Sequence, residues 1–263
     1  MLGKEVRMNR LFTKESGKIL VIALDHAIGW GVIDGIADIQ KTMERIIEAA
    51  PDAVTMLKGT AHKVFRPFAG SIPFILKCTT FSPYHPKFDA PVGSVEEAVR
   101  MGADAVAIGA TLLTEQQAEM LSTLARFTAE AEKYGLPTVT HIYPKGAEKG
   151  HEYDEEHVKY AARAAAELNV DIVKTFYTGD PVSYKRVVDA CPSKLVVSGG
   201  PKLPSVRDVF QMTYDAMSIG ASGVTYGRNV WQAENPGLIV KALMHIIHEN
   251  GAVEEAMEIA KEK

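Results

Sequence analysis

The chain has 263 residues, long for one average domain, short for two, and close to the about 250 at which a (β/α)8 barrel runs as a single domain. Hydrophobic residues make up 46% and charged residues 24%, ordinary globular values that exclude intrinsic disorder and a coiled coil. A net charge of −4, from 29 Lys+Arg against 33 Asp+Glu, disfavours a nucleic-acid or anionic-membrane partner, so any anion must be held by local sites.

Met1 to Lys18 lacks the apolar run of a secretory signal. Ile19 to Asp25 then predicts a first strand. Ala37 to Ala50 predicts a helix with Ile39, Met43, Ile46 and Ile47 on one face. Ala53 to Lys58 is a second strand, followed by a turn or so of helix over Ala61 to Arg66. Ile72 to Cys78 is a third strand, and Thr79 to Pro91 reads as an irregular loop. A short helix over Val95 to Met101 leads to a fourth strand, Asp104 to Gly109. The long helix Glu115 to Tyr134 leads to a fifth, Pro137 to Tyr143. Asp154 to Leu168 is helical before a sixth strand, Val170 to Phe176. Pro181 to Ala190 precedes a seventh, Lys194 to Gly199, and Val206 to Ile219 an eighth, Ser222 to Gly227. Helices over Pro236 to Glu249 and, additionally, Ala252 to Glu262 finish the chain. The strands are nearly continuous in apolar content, as expected of strands covered on both faces.

Four helix ends enter strands with similar words: Ala50-Pro-Asp-Ala-Val, Gly102-Ala-Asp-Ala-Val, Asn169-Val-Asp-Ile-Val and Gly220-Ala-Ser-Gly-Val. Gly or Asn ends a helix in a left-handed conformation, and small residues let the chain turn tightly into the next strand. Eight strands alternating with helices favour a closed (β/α)8 TIM barrel, an α/β fold with an extra C-terminal helix. An open doubly wound sheet is the alternative, but the Gly-rich nucleotide fingerprint after the first strand is absent. No linker or low-complexity segment breaks the chain, so residues 1–263 read as a single domain. Two isolated cysteines, Cys78 and Cys191, cannot form a disulfide framework or a Cys-rich zinc site. No apolar stretch approaches the ~20 residues of a membrane helix. A soluble protein of the reducing cytoplasm is expected.

A barrel of this kind carries its site at the C-terminal ends of its strands. The seventh strand ends in Ser198-Gly199-Gly200-Pro201-Lys202 and the eighth in Gly227-Arg228-Asn229. These two loops often hold a phosphate, because glycine lets backbone N–H groups approach an oxyanion and an arginine adds fixed charge. The plainer reading is that the glycines only make tight turns. Lys174 interrupts the apolar sixth strand. Burial would lower its pKa, and a neutral amine can attack a ketone to form a Schiff base. It could equally pair with a carboxylate or bind phosphate, and Lys58 and Lys77 also sit at strand ends, so the pattern leaves three lysines open. Asp25 and His26 close the first strand, where a carboxylate can relay protons, hold an ammonium or merely cap a helix. Tyr143 closes the fifth strand ahead of Pro144-Lys145-Gly146, as an acid/base phenol or as a packing aromatic. No metal site is expected. The His245-x-x-His248 pair reads as an exposed helix face without a third ligand, and there is neither a nucleophile elbow nor a P-loop.

Taken together, these words resemble the archaeal-type class I fructose-bisphosphate aldolase family, in the wider group that includes deoxyribose-phosphate aldolase. The matching stretches are Ala23-Leu24-Asp25-His26, Val95-Glu96-Glu97-Ala98, Ile142 to Gly146, Asp171 to Thr175, Tyr177 to Asp180, Ser198 to Lys202 and Gly227 to Gln232, and they span almost the whole chain in order. The group also contains 2-amino-3,7-dideoxy-D-threo-hept-6-ulosonate synthase and an autoinducer-2 phosphate thiolase. The resemblance implies a Schiff-base lysine at Lys174, an acid/base tyrosine at Tyr143 and a proton-handling aspartate at Asp25. It implies a sugar phosphate on Ser198, Gly199, Gly200, Gly227 and Arg228, with His26 and Lys202 beside it. It implies no metal, no cofactor beyond the covalent Schiff base, and a ring-shaped homo-oligomer such as a decamer. The activity implied is the glycolytic and gluconeogenic interconversion of fructose 1,6-bisphosphate with dihydroxyacetone phosphate and glyceraldehyde 3-phosphate. A heptulosonate-type transaldolase or a coenzyme A-dependent thiolase is the alternative. Glycolytic members carry a tryptophan two residues before the tyrosine, where this chain has His141. The stretches Cys191 to Gly200, Lys202 to Pro204 and Asn235-Pro236 look closer to the thiolase branch, which lacks that tyrosine.

Overall fold

The computed structural model describes residues 1–12 and 14–261. Eight parallel strands close into a barrel: β1 (Ile19–Ala23), β2 (Ala53–Leu57), β3 (Phe74–Lys77), β6 (Ala105–Thr111), β7 (Thr138–Tyr143), β8 (Ile172–Thr175), β9 (Lys194–Ser198) and β10 (Gly223–Tyr226). Their order around the barrel is β1-β10-β9-β8-β7-β6-β3-β2, with β1 closing against β2. Each of the eight lies inside a strand expected from the sequence, apart from β6, which runs on to Thr111. Residue 262, the end of the last predicted helix, lies outside the described residues; that helix is observed over Val253–Ile259.

The expected loop after β3 is instead a two-stranded antiparallel hairpin, β4 (Thr79–Ser82) and β5 (His85–Pro91), with an irregularity between Thr80 and Ser82. Its alternation is hidden in the sequence because it packs locally over the barrel mouth, and much of β5 is exposed. The helix α1 (Leu2–Leu11) was also not expected. It is polar, and Leu11 is its one fully buried residue. Tertiary ion pairs hold it: the Lys4 ammonium lies 3.1 Å from Asp171 and 2.6 Å from Glu132, and Arg10 lies 3.3 Å from Asp104.

The repeated helix-to-strand words have a physical basis at the opposite end from the site. Ala50, Gly102, Asn169 and Gly220 all adopt positive φ, the left-handed turn that ends each helix. Two residues on, three carboxylates accept an amide at the start of a neighbouring strand. Asp52 accepts from Leu20 N (2.7 Å), Asp104 from Phe74 N (3.1 Å) and Asp171 from Thr138 N (2.8 Å). These bonds satisfy amides at the floor of the barrel that the ladder leaves over. His248, read as exposed from the sequence, is half-buried here: its Nε2 lies 2.8 Å from Asp52 and its Nδ1 2.7 Å from the Ser16 hydroxyl. His245 turns away to Glu249 and Glu255, so the two histidines share no site.

Two apolar layers build the molecule. One fills the barrel from its floor: Leu11, Ile19, Val21, Ala53, Ile75, Ala105, Ala107, Val139, Ile172 and Val196. The other lies between barrel and helices. Cys78 and Cys191 are free and buried. Among the described residues no helix is long and apolar enough to cross a membrane.

Candidate active site

Strand alternation selects what reaches the barrel mouth. Side chains two residues apart share a face. The inward residues Val21, Ile75, Val139, Ile172 and Val196 therefore predict the next inward positions upward: Ala23 and then Asp25, Lys77, His141 and then Tyr143, Lys174, and Ser198. The apolar floor gives way to a polar layer at this level. Above it opens a cavity of about 660 Å³, lined among others by Asp25, His26, His141, Tyr143, Lys174, Ser198, Gly200 and Arg228.

The three strand-end lysines are now distinct. Lys58 is half-exposed and paired with Glu97 at 2.7 Å, outside the barrel. Lys77 is buried and lies 3.8 Å from the Asp89 carboxylate. Lys174 is buried in the cavity floor, with no carboxylate of the described residues within 4 Å. Desolvation pushes its pKa down to about 8, against the attraction of Asp25 and with help from the nearby cations Lys77, Arg228 and Lys145. Roughly one such amine in ten is neutral at pH 7, about 300-fold more than for a lysine at its ordinary value.

Asp25 stands between two imidazoles. Its Oδ1 lies 3.5 Å from His26 Nδ1 and its Oδ2 lies 3.8 Å from His141 Nδ1, both too long for hydrogen bonds. Burial lowers the His26 pKa to about 4, and Lys174 and Arg228 reinforce the shift against Asp25. Burial, then Lys174, Lys77 and His26, hold His141 well below the ordinary histidine value. Both rings are therefore neutral at pH 7 and bring no positive charge to the lysine.

Tyr143 stacks on Phe176 at 4.4 Å between ring centroids, and its hydroxyl shares a 3.1 Å hydrogen bond with Ser198. Burial raises the phenol pKa, partly offset by the Ser198 bond, so it stays protonated at neutral pH. On the β9 and β10 side, Arg228 donates to the Gly200 carbonyl at 2.8 Å and lies over the Trp30 ring. Its Nε is buried with no hydrogen-bond partner among the described residues. Gly200 has φ +63, a conformation that suits glycine, at the turn that brings its backbone to the cavity.

Not every expected residue reaches the cavity. The Lys202 ammonium turns outward and donates to the Gln232 carbonyl at 3.2 Å, a surface contact between loops. Gly199 and Gly227 lie beneath the lining. The Gly199 amide is used by the Thr225 carbonyl at 3.3 Å, and Gly227 packs against the His26 ring. Their smallness makes room for the site without offering it a group.

The site also contains residues that sequence reading did not select. Lys145 lies 4.4 Å over Phe81 and 5.4 Å from the Tyr143 ring, and burial lowers its pKa. A side chamber of about 50 Å³ beside the main cavity is lined by Lys77, Thr80, Asp89 and Lys145 together with Asp25, His141 and Tyr143. Asp89 comes from the unexpected hairpin. It fits only because position 109 is glycine, where a Cβ would overlap its carboxylate. The strict alternation around His141 and Lys77 was a usable signal; the hairpin supplied none. Among the described residues no three His, Cys, Asp or Glu side chains converge as a metal-holding group.

The fold and this cluster define a barrel with an amine-bearing site at its mouth. Residues 19–233 match the model of the DeoC/LacD family of aldolases, and the chain belongs to that family. It is similar to 2-amino-3,7-dideoxy-D-threo-hept-6-ulosonate synthase of Halobacterium salinarum, with 34% identity over 97% of this chain and 95% of that one. It is similar to a crystal structure of an archaeal fructose 1,6-bisphosphate aldolase, with TM-score 0.86 and 33% identity over 95% of this chain and 100% of that one. A second archaeal structure of that enzyme, with its catalytic lysine covalently bound to a carbinolamine intermediate, gives TM-score 0.86 and 32% identity over 93% and 99% of the two chains.

Proposed function

We propose that the protein is a class I aldolase that makes and breaks a ketose phosphate through a Schiff base on Lys174, with fructose 1,6-bisphosphate the leading substrate. The observation that carries this reading is the buried Lys174 amine, with no ion pair among the described residues, in the floor of a large cavity. The covalent lysine intermediate described for the archaeal aldolase supports it.

In this reading the neutral amine attacks the C2 carbonyl to give a carbinolamine, which loses water to form an iminium. The C4 hydroxyl gives up its proton as the C3–C4 bond breaks, and the iminium accepts the electron pair. Glyceraldehyde 3-phosphate leaves, and the enamine of dihydroxyacetone phosphate stays on Lys174. Protonation of the enamine and hydrolysis release it. Tyr143, protonated at rest, donates and recovers the protons, and Asp25 holds the ammonium forms and the substrate hydroxyls. The phosphate lies between Ser198, Gly200 and Arg228, where the unpaired Arg228 Nε meets it. The iminium does the work of a Lewis acid, so EDTA leaves activity unchanged.

Borohydride trapping with dihydroxyacetone phosphate, followed by peptide mass mapping, tests the proposal. A reduced adduct on Lys174 is expected. Folded protein without that adduct would overturn it. The second reading is a transaldolase of the heptulosonate-synthase type, supported by the Halobacterium relative. Product analysis with a panel of acceptor aldehydes separates the two, and a coenzyme A requirement would mark the thiolase alternative. A ring-shaped homo-oligomer is part of the same proposal, and sedimentation measures it.

A further inference from the structure

The half-buried carboxylate at the centre of the site has no hydrogen bond to the described residues. Asp25 follows β1 and is held only by proximity: His26 Nδ1 at 3.5 Å and His141 Nδ1 at 3.8 Å. His26 is its neighbour in the chain and packs edge-on against Trp231 at 5.2 Å. His141 comes from another part of the barrel. It sits on β7 in register with Lys174 of β8, so one imidazole neighbours both the amine and the carboxylate.

The surroundings of His141 also fix which nitrogen carries the proton. Its Nε2 is buried with no hydrogen-bond partner among the described residues, over a small chamber lined by Ile19, Val21, Ile75, Val139 and Ile172 and by Thr55 and Thr225, neither of whose hydroxyls bonds it. Its Nδ1 points to Asp25. A buried N–H without an acceptor is costlier than a buried lone pair without a donor. The neutral ring is therefore protonated on Nδ1, with the lone pair of Nε2 turned into the barrel interior.

We propose that His141 is a positioning residue for Asp25: its Nδ1–H donates to the Asp25 carboxylate, fixing the orientation of that group beside Lys174. The proposal rests on the aldolase reading for its kinetic consequence, but not for the pairing itself. The ring can serve this way because it stays neutral amid Lys174 (β8), Lys77 (β3), Lys145 (after β7) and Arg228 (after β10). The other groups facing the pair are His26, Tyr143 and Asp89. A closure of under an ångström converts the 3.8 Å approach into a hydrogen bond.

Three variants and one spectrum test this. His141→Phe should lower kcat by ~10- to 100-fold with KM within about threefold. His141→Gln, whose longer side chain carries no ring, should behave like His141→Phe. His141→Asn, whose amide can donate toward the same place, should recover most of the lost kcat. An equal loss in all three would leave only a packing role and overturn the proposal. Imidazole 15N NMR of the unmodified protein near pH 7 reads the pairing without any substrate. A protonated Nδ1 and a bare Nε2 are expected, and the reverse tautomer would overturn it. Failure of Lys174 trapping with the expected tautomer would remove the aldolase reading and leave the pairing standing.

Discussion

The hydroxyls of Tyr143 and Ser198 meet at 3.1 Å across the barrel mouth, one from β7 and one from β9, although 55 residues separate them in the chain. This bond points the phenol over the cavity while Phe176 supports the ring from behind at 4.4 Å. Tyr143→Phe keeps the stacking and removes only the proton. Its kcat should fall by about 10²- to 10⁴-fold with little loss of stability. Steady-state kinetics beside thermal melts check this; near-normal turnover would remove the phenol from proton transfer.

The pKa of Lys174, pushed down to about 8, gives adduct formation a pH dependence of definite sign. Only the neutral amine attacks a carbonyl, so the rate of borohydride-trapped adduct should rise about tenfold per pH unit below about 8 and level off above it. Stability follows the same group. Between about 8 and the ordinary lysine value the unfolded chain binds more protons at this position than the folded one, so folding should strengthen as pH rises through that window. Lys174→Met should abolish trapping. Its stability at pH 7 should lie within about 1 kcal/mol of the parent, because relief of a buried charge is offset by the loss of Asp25's attraction. Stopped-time trapping and urea denaturation across pH measure both.

Lys77 and Asp89 are a buried pair at 3.8 Å and should behave as a unit. Asp89→Ala leaves the buried ammonium without its counter-charge and should cost about 3–5 kcal/mol. Lys77→Met alone should cost less, and the double variant less than the sum of the two. A denaturant double-mutant cycle reads the coupling; strict additivity would mean that the pair does not interact.

Gly109→Ala should damage the same pair from the other side. Its Cβ would displace the Asp89 carboxylate and disturb the Thr79 hydroxyl, which accepts from Gly109 N at 2.6 Å. A loss of about 1–3 kcal/mol is expected. Parent-like denaturant stability would show that the hairpin shifts freely.

Asp171→Ala acts at the far end of the barrel. It removes bonds to Thr138 N (2.8 Å) and the Thr138 hydroxyl (3.0 Å) and the contact with Lys4. About 1–3 kcal/mol of stability should be lost, with kcat unchanged. A large kcat effect would show that the floor of the barrel communicates with its mouth.

Much of this arrangement is legible in the amino-acid order alone. Each barrel strand is a short apolar run bounded by turn residues, and the residue two beyond an inward apolar one must also face inward. That rule alone sends Lys174, Tyr143 and Asp25 toward the mouth. The Ser198-Gly199-Gly200 and Gly227-Arg228 words mark the two loops after β9 and β10, whose glycines divide once folded. Gly200 and Arg228 face the cavity, whereas Gly199 and Gly227 leave room beneath it. Lys202 sits beside the glycine loop in sequence, but its side chain leads outward to Gln232.

The sequence by itself determined the periodicities: eight apolar runs of strand length, helix ends with left-handed residues, and a lysine and a tyrosine in phase with the inward face. These are local properties, set by backbone sterics and by the two-residue repeat of a strand. Only the tertiary structure decided which charges meet. It paired Lys58 and Lys77 with carboxylates and left Lys174 with none within 4 Å among the described residues. It brought Asp89 in on a hairpin with no sequence signature, and set two neutral imidazoles against Asp25. The reason is physical: desolvation and charge–charge interaction depend on distances between residues far apart in the chain, and barrel closure alone fixes those distances.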